Sequence, residues 1–240
     1  MTATLLLAAS LAVRPAAGEP PAPAEPAEEE VAPHEGWIKT ASSLLLFDSS
    51  GTLVHEVGLG TFEEPSGPDT VARRAVRAGV SSDGRFAWSW EKTQFVRPGK
   101  NEKTLSMTRL FTYLGTEGQE LFRNELADAP EGLPPAALSA DGERVLVAER
   151  APDAWIVAAY DFTGNRLVDA RGGGALELAQ ITPNGRFALL RWHAPDRPPE
   201  YAYLRVKQRR AENFVPKRQA PLSLSEDGRV LCGDKVVRAP

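Results

Sequence analysis

The chain has 240 residues, with 28 Lys and Arg against 32 Asp and Glu and a formal net charge of −4. Such a small net charge excludes a general electrostatic attraction to nucleic acid. The single cysteine, Cys232, excludes an intrachain disulfide, so stability has to come from packing. Twenty Pro and twenty Gly indicate many turns and few long helices.

Residues 1–18 have the pattern of a secretory signal peptide. An apolar run from Leu5 to Val13 is followed by the small residues Ala16, Ala17 and Gly18. The run is too short for a membrane-spanning helix, which needs about 20 apolar residues. No Lys or Arg precedes it, which departs from the usual pattern, and no cysteine follows it that could carry a lipid anchor. The segment predicts a periplasmic or secreted protein without a transmembrane segment.

Residues 19–36 form a tract rich in Pro, Ala and Glu. It has too few apolar residues to offset chain entropy, so we predict a disordered tether. The acidic run at residues 28–30 is interpreted as a solvated spacer. One folded domain is predicted over residues 37–240.

A short element recurs four times in this domain. Each copy has an apolar residue, Ser or Thr, any residue, Asp or Asn, Gly, and then a strand-like run. Asp-Gly and Asn-Gly favour tight reversals because Gly accepts a positive φ. The last three copies recur at a period of about 43 residues, and the first interval is longer. The copies occupy residues 80–87, 138–145, 181–188 and 224–230.

A second element lies between these copies. It is a strand-like run followed by a glycine turn, at residues 44–53, 110–121 and 156–167. At residues 201–206 the strand-like run remains but the glycine is missing, so we interpret this copy as degenerate. Each unit therefore predicts two hairpins, or four short antiparallel strands.

The Ser-x-Asp-Gly-Arg and Tyr-Asp-x-x-Gly elements resemble blades of β-propellers of the WD-repeat-like or quinoprotein-like kind. The resemblance runs from about residue 42 to residue 240. The Gly-His and Trp-Asp signatures of WD repeats are absent from the sequence, as is a quinoprotein tryptophan docking motif. The resemblance therefore implies an architecture and no activity.

The fold class predicted on this basis is all-β, a β-propeller of about four blades with four antiparallel strands each. Pairing of the C-terminal with the N-terminal strands is expected to close it. An open arc that closes by dimerisation and a fifth sheet within residues 58–76 remain as alternatives. The predicted blades are residues 80–125, 138–172 and 181–215, and a composite of 224–237 with 44–57.

The polar residues of the turns are interpreted as turn formers. Asp and Asn before Gly hydrogen-bond neighbouring amides, whereas a calcium loop needs alternating oxygen ligands that are missing here. This interpretation covers Asp48, Asp83, Asp141, Asp161, Asn184 and Asp227.

No catalytic, cofactor-binding or metal-binding residue is predicted. His34, His55 and His193 lack metal-ligand spacing, although the loop after His193 is the best place for a functional histidine. Residues 172–174, Gly-Gly-Gly, lack the ending of a phosphate loop and are expected to connect two blades. Cys232 is interpreted as a small buried residue rather than a reactive thiol. The tryptophans at 88, 90, 155 and 192 are expected to pack between blades.

Basic residues alternate at Arg205, Lys207 and Arg209, and three more follow at positions 210, 217 and 218. Two interpretations remain: an outer strand whose charges discourage edge pairing, or a patch for an anionic partner. Three further segments are candidates for interaction, namely residues 63–77, 92–104 and 194–200. The extra length of the first interval is assigned mostly to a polar loop at residues 93–104.

The favoured hypothesis is an exported, non-catalytic β-propeller that binds an unknown protein or an anionic partner of the cell envelope, without nucleic acid. The alternative is an enzyme, a hydrolase or lyase with polar groups at the channel mouth. Convergence of His193 with two or more carboxylates would favour the enzyme. A third hypothesis is a partial propeller that works only as an oligomer.

Overall fold

The computed structural model describes residues 35–125, 136–216 and 221–240. These residues form antiparallel β-sheets joined by turns and contain no helix. The predicted signal peptide, nearly all of the predicted tether, His34, Lys217 and Arg218 lie outside the described residues. The predicted all-β fold of successive antiparallel sheets is confirmed.

The described strands form five sheets, numbered here in chain order. The first sheet contains β1 (Gly36–Lys39), β2 (Ser43–Phe47) and β3 (Leu53–Gly58). The second contains β4 (Gly60–Gly67), β5 (Thr70–Val80), β6 (Ala87–Arg97), β7 (Lys103–Leu114) and β8 (Glu120–Glu125). The third contains β9 (Ala136–Leu138), β10 (Arg144–Arg150), β11 (Trp155–Asp161) and β12 (Arg166–Gly172). The fourth contains β13 (Ala175–Ile181), β14 (Phe187–His193), β15 (Glu200–Arg205) and β16 (Arg210–Phe214). The fifth contains β17 (Leu222–Leu224), β18 (Val230–Cys232) and β19 (Lys235–Arg238).

Buried apolar clusters join each sheet to the next one in the chain. Trp37 and Leu46 pack with Ala78 and Leu114 between the first two sheets. The second and third sheets enclose Trp88 and Trp90, and the third and fourth enclose Trp155 and Trp192, as predicted for the tryptophans. Tyr203, Leu222 and Val230 pack between the fourth and fifth sheets. The core is therefore divided into layers between successive sheets.

The predicted count of four blades and the predicted closure are not confirmed. The first and fifth sheets are separate, and among the described strands none of β1–β3 pairs with any of β17–β19. In the four-stranded third and fourth sheets, a turn like Asp48–Gly51 joins the third and fourth strands, and a turn like Ser225–Gly228 joins the first and second strands. By this comparison β1–β3 correspond to the second, third and fourth strands of a blade, and β17–β19 correspond to the first, second and third. The two sheets therefore duplicate two strands and do not combine into one four-stranded blade. Of residues 58–76, the alternative fifth sheet, Gly58 ends β3 of the first sheet, and residues 60–67 and 70–76 belong to the second sheet.

The first repeated element forms the same turn in all four copies. In the first copy the Ser81 hydroxyl donates to Asp83 Oδ1 at 2.6 Å and accepts from the Phe86 N–H at 3.0 Å. Thr182 and Asn184 make the equivalent contact at 2.8 Å. Ser81, Ser139 and Thr182 are buried polar residues whose hydrogen bonds are made inside the turn. Asp83, Asp141, Asn184 and Asp227 are thus confirmed as turn formers.

The glycine of this turn fits against the preceding sheet. Phe86 stacks on Tyr113 with ring centroids 5.9 Å apart, and the Tyr113 hydroxyl donates to the Gly142 carbonyl. The same arrangement recurs between the fourth and fifth sheets, where Phe187 stacks on Tyr203 and the Tyr203 hydroxyl donates to Gly228 O at 2.7 Å. A Cβ at Gly142 or Gly228 would overlap the phenylalanine ring. Glycine is therefore required both for the turn and for the contact between sheets.

The two other junctions use different groups. The Trp37 N–H donates to Gly84 O at 2.6 Å between the first and second sheets. Between the third and fourth, the Ala140 N–H donates to Pro183 O at 2.8 Å, and Gly185 lies against the aliphatic part of Arg144. Each copy of the turn therefore contacts the sheet before it, although the residues differ.

The degenerate second element still forms its turn. The Arg209 N–H donates to Val206 O at 3.1 Å, and Arg209 has φ 54°. Gly51, Gly118 and Gly164 occupy the corresponding position in the other copies, with φ between 78° and 82°. An exposed arginine has thus taken the place of a glycine, and the turn persists with a left-handed residue that lacks glycine's freedom.

The second sheet is longer than the others. β5 and β6 have 11 residues and β7 has 12, whereas all four strands of the third sheet have seven or fewer. The pairing of β6 with β7 runs from Ala87↔Leu114 to Arg97↔Lys103. The extra length is therefore a paired hairpin with one register shift, between Phe95 and Val96, and not the predicted polar loop at residues 93–104. The outer part of this sheet, residues 61–76 and 91–109, is called the arm below.

Removing the tyrosine hydroxyl at either glycine contact is expected to destabilise the fold. Tyr113→Phe and Tyr203→Phe each leave a carbonyl without its donor, which costs about 1 kcal/mol in the free energy of unfolding. The two losses should be nearly additive because they affect different junctions. Urea denaturation measures them.

Tyr160→Phe serves as the control, because the Tyr160 hydroxyl donates to the half-buried Glu149 at 2.8 Å. Glu149 regains water when that bond is lost, so a smaller effect is expected. Equal losses in all three variants would contradict the proposed importance of the glycine contact.

Arg209→Gly is expected to stabilise the protein by about 0.5–1 kcal/mol, because glycine adopts the left-handed region without steric cost. The gain is reduced by the greater entropy of glycine in the unfolded chain. Gln208→Gly is the matched control at the adjacent position, where φ is not positive, and it should destabilise. Thermal and urea unfolding measure both, and a destabilised Arg209→Gly would disprove the strain at this position.

Candidate functional site

Two of the turn aspartates, Asp48 and Asp227, accept hydrogen bonds from a serine hydroxyl and from backbone amides, which lowers their pKa values. Asp48 Oδ1 accepts from the Ser50 hydroxyl and from the N–H groups of Ser50 and Thr52 at 2.6–2.9 Å. The Ser50 hydroxyl and these amides lower the pKa of Asp48. The Ser225 hydroxyl and the Arg229 N–H likewise lower the pKa of Asp227. Asp161 makes the same contacts with Thr163 and Asn165. The carboxylate oxygens of these aspartates therefore accept hydrogen bonds from groups of their own turns.

A polar cleft of about 630 Å³ lies where the long second sheet extends past the short first sheet. Near the turns, the facing side of the second sheet carries Ala78, Ala87 and Leu114, which the first sheet covers. Further along the same strands this side becomes polar, with Ser89, Glu91 and Thr112. The strands of the first sheet are only four to six residues long, so this polar part stays open. The cleft is lined by His55, Glu56, Val57, Gly58, Phe62, Glu64, Arg74, Ser89, Glu91, Thr112, Leu114, Gly118, Glu120 and Arg123.

Two ion pairs lie in the cleft. Arg74 donates to both carboxylate oxygens of Glu91 at 3.1 and 2.9 Å, and the Thr93 hydroxyl donates to the same carboxylate at 2.8 Å. Arg74 and then Thr93 lower the pKa of Glu91 against the opposing effect of burial. Arg123 pairs with Glu120 in the same cleft. Glu91 is therefore held as an anion, which suits recognition of a polar surface better than proton transfer.

Neither Arg74 nor Glu91 is predicted individually from the sequence, although Arg74 lies within the candidate interaction segment at residues 63–77. A usable signal exists in the alternation of residues 88–93, Trp-Ser-Trp-Glu-Lys-Thr. It places Ser89, Glu91 and Thr93 on one face and the two tryptophans on the other. The tryptophan face is predicted from the sequence as core, whereas the pattern gives no specific role to the polar face.

The two described histidines lie apart. His55 lines the cleft, and its ring meets Trp37 edge-on with centroids 5.6 Å apart. His193 Nδ1 lies 3.1 Å from Glu177 Oε1, and the other oxygen of Glu177 lies 3.1 Å from Arg191 Nε. The described residues thus give His193 one ion-pair partner, a carboxylate shared with an arginine, instead of the two or more expected for an enzyme.

The basic stretch is partly neutralised. Arg205 lies 3.7 Å from Glu212, and Arg238 pairs with the same carboxylate. Arg238, followed by Arg205 and Arg210, lowers the pKa of Glu212. Lys207, Arg209 and Arg210 are exposed around the β15–β16 turn. The described part of this stretch is therefore a small basic tip rather than a continuous basic strand face.

A more apolar groove of about 830 Å³ lies beside the fifth sheet. Its lining includes Phe214, Val215, Leu222 and Val236, and the Arg238 guanidinium lies over the Phe214 ring at 4.2 Å. Cys232 also lines this groove and is a half-buried free thiol, less enclosed than predicted.

Within residues 35–125, 136–216 and 221–240, no three His, Cys, Asp or Glu side chains gather in an arrangement that could hold a metal ion. The same residues include no helix of the length and apolarity needed to cross a membrane.

No protein-family model matches the chain, and no curated protein matches it in sequence. Similar solved structures include a Bacteroides caccae protein of unknown function, at 13% identity and a TM-score of 0.35 over 79% of this chain and 62% of that one. Hydrazine synthase of Kuenenia stuttgartiensis is similar at 10% identity and a TM-score of 0.38, over 78% and 66%. The Dos1 propeller is similar at 8% identity and a TM-score of 0.35, over 79% and 58%. The chain thus spans less than two thirds of each of these chains, and similarity at this level carries no function across.

The turn aspartates are expected to make the stability pH-dependent. Because the folded pKa values of Asp48 and Asp227 are lowered, their contribution is present above the unfolded value of about 3.9 and is lost as the pH falls through the folded pKa. Asp227→Asn keeps the turn, since Asn184 already fills this position in another copy. Its urea midpoint should fall less than that of the wild type between about pH 5 and about pH 2.5. Equal falls would show that Asp227 does not contribute.

Proposed function

We propose that this protein is an exported, non-catalytic propeller-type module that binds a partner of the cell envelope through the second sheet. The observation that carries the proposal is the charge pairing in the cleft, where Arg74 holds Glu91 in a two-pronged contact. A carboxylate with a lowered pKa and its hydrogen bonds already made is poorly suited to act as a general acid or base at neutral pH. It still presents fixed charges to a partner.

The dimensions of the second sheet support the same proposal. Its arm extends beyond the strands of both neighbouring sheets, and residues of β4 and of the first half of β7 are mostly exposed. Rigid strands that project from a packed scaffold lose little conformational entropy on binding. The signal-like pattern of residues 1–18 supports export and remains a prediction.

A charge swap in the cleft tests the proposal. Arg74→Glu combined with Glu91→Arg keeps an ion pair and reverses its direction, so the fold should persist while the recognised pattern is lost. The immobilised wild type should recover a stoichiometric protein from an envelope extract of the source organism, and the swapped variant should recover at least about tenfold less, equivalent to 1.4 kcal/mol.

Arg166→Asp combined with Asp169→Arg is the matched control. This exposed pair, 3.2 Å apart in the third sheet, lies far from the lining of the cleft in sequence and belongs to another sheet. Its swap should leave recovery unchanged. Equal recovery with both swaps would place binding elsewhere. Turnover of ester, peptide or glycoside substrates that is abolished by His193→Ala would support the enzyme alternative instead.

A further inference from the structure

The third copy of the repeated turn differs from the other three at the position before its glycine. That position is Asn184, whereas the other copies have Asp83, Asp141 and Asp227. Asn184 is also the only one of the five asparagines in the chain that precedes a glycine. Asparagine is a thermally labile residue, and a glycine after it lacks the Cβ that would shield the next backbone nitrogen. This turn therefore combines the two residues that favour intramolecular attack on a side-chain amide.

Both reacting groups are engaged in the folded turn. The Gly185 N–H, which carries the attacking nitrogen, donates to Thr182 O at 2.9 Å. The side-chain oxygen of Asn184 accepts from the Thr182 hydroxyl at 2.8 Å and from the Arg186 N–H at 3.1 Å, which fixes the orientation of the amide. Attack requires the Gly185 nitrogen to lose its proton and to approach the Asn184 Cγ, so these hydrogen bonds have to break first.

Packing against the third sheet resists that opening. The Ala140 N–H donates to Pro183 O at 2.8 Å, and Gly185 lies against the aliphatic part of Arg144. Thr182 is only 1% exposed, so solvent does not replace its hydrogen bonds while the two sheets stay together. The Asn184 side chain is exposed, so water reaches it once the turn opens.

We propose that Asn184 is a site of spontaneous hydrolytic deamidation and that opening of its turn controls the reaction. The Gly185 nitrogen loses its proton and bonds to the Asn184 Cγ, the Cγ–Nδ2 bond breaks, and the Nδ2 group takes up a proton and leaves as ammonia. The hydroxyl of a water molecule then bonds to one of the two carbonyl carbons of the cyclic imide, the bond from that carbon to the nitrogen breaks, and the nitrogen takes the remaining proton. One water is consumed for each ammonia released, and nothing is oxidised or reduced.

The turn accommodates one of the two products. Opening the imide at the side-chain carbonyl gives aspartate, which has the role that Asp141 and Asp227 already have. Their Oδ1 atoms accept from a serine hydroxyl at 2.6 Å and from the N–H two residues further on at 3.1 and 3.3 Å. Opening at the main-chain carbonyl gives isoaspartate, which lengthens the backbone by one carbon between Thr182 O and the Gly185 N–H. Deamidation therefore preserves this junction or weakens it, depending on which imide bond water cleaves.

Incubation of the whole chain at neutral pH, with and without urea, tests this inference, which does not depend on the proposed binding function. Peptide mapping by mass spectrometry should show deamidation of Asn184 at least about tenfold slower in the folded protein than in urea, because the folded protein has to open first. In urea, Asn184 should react before the other four asparagines, which precede larger residues. These internal controls are Asn101, Asn124, Asn165 and Asn213.

Thr182→Val removes the hydroxyl that holds Asn184 and should speed deamidation in the folded protein. Ser225→Ala is the matched control, because it removes the equivalent hydroxyl from the fourth copy of the turn, and it should leave the rate at Asn184 unchanged. Asn184→Asp, which represents the first product, should keep the wild-type urea midpoint at neutral pH, whereas chains with isoaspartate should unfold at lower urea.

Equal rates at Asn184 in the folded protein and in urea would overturn the inference, as would another asparagine reacting first in urea. Equal acceleration by Thr182→Val and Ser225→Ala, or a lowered urea midpoint of Asn184→Asp, would also contradict it. If Thr182→Val does not fold, the wild-type rates with and without urea still decide the outcome.

Discussion

The fold depends on the fit between the glycine of each Ser-x-Asp-Gly turn and the sheet that precedes it. The turn uses its own Ser hydroxyl and Asp carboxylate to satisfy buried amides, so it can enter an apolar layer without unpaired polar groups. At Gly142 and Gly228 the missing side chain lets a phenylalanine ring approach, and a tyrosine hydroxyl completes the contact. One local motif thus determines both the reversal of the chain and the position of the next sheet.

The repeated elements predicted the strands well because their signals are local. Asp-Gly and Asn-Gly turns and alternating apolar runs act within a few residues, and each of the four copies forms the predicted hairpin. The number of sheets was harder to predict, because closure requires strands far apart in the sequence to pair, and the described β3 and β19 lie in separate sheets. The missing glycine after Val206 was interpreted as a lost turn, yet Arg209 keeps it. Intrinsic propensity favours glycine at such a left-handed turn position, but the surrounding structure also accommodates an arginine there.

The cleft was not predictable from motifs because it results from a difference in strand length. Ser89 and Glu91 occupy the face that would be buried if β1–β3 were as long as β5–β7. The sequence marks these residues as polar and alternating, but it does not state how far the neighbouring sheet reaches. A site created by incomplete coverage of this kind has no spacing signature, in contrast to a metal or nucleophile motif.

Division of the core into separate layers has a consequence for how the molecule comes apart. Each apolar cluster joins two sheets that are neighbours in the chain, so the loss of one layer leaves the more distant layers in place. In such linear arrays, cooperativity is limited to nearest neighbours. The fifth sheet has strands of only three or four residues. Under mechanical load applied at Pro240, the protein should therefore yield in steps, peeling from the carboxyl-terminal sheet toward the longer strands of the second sheet.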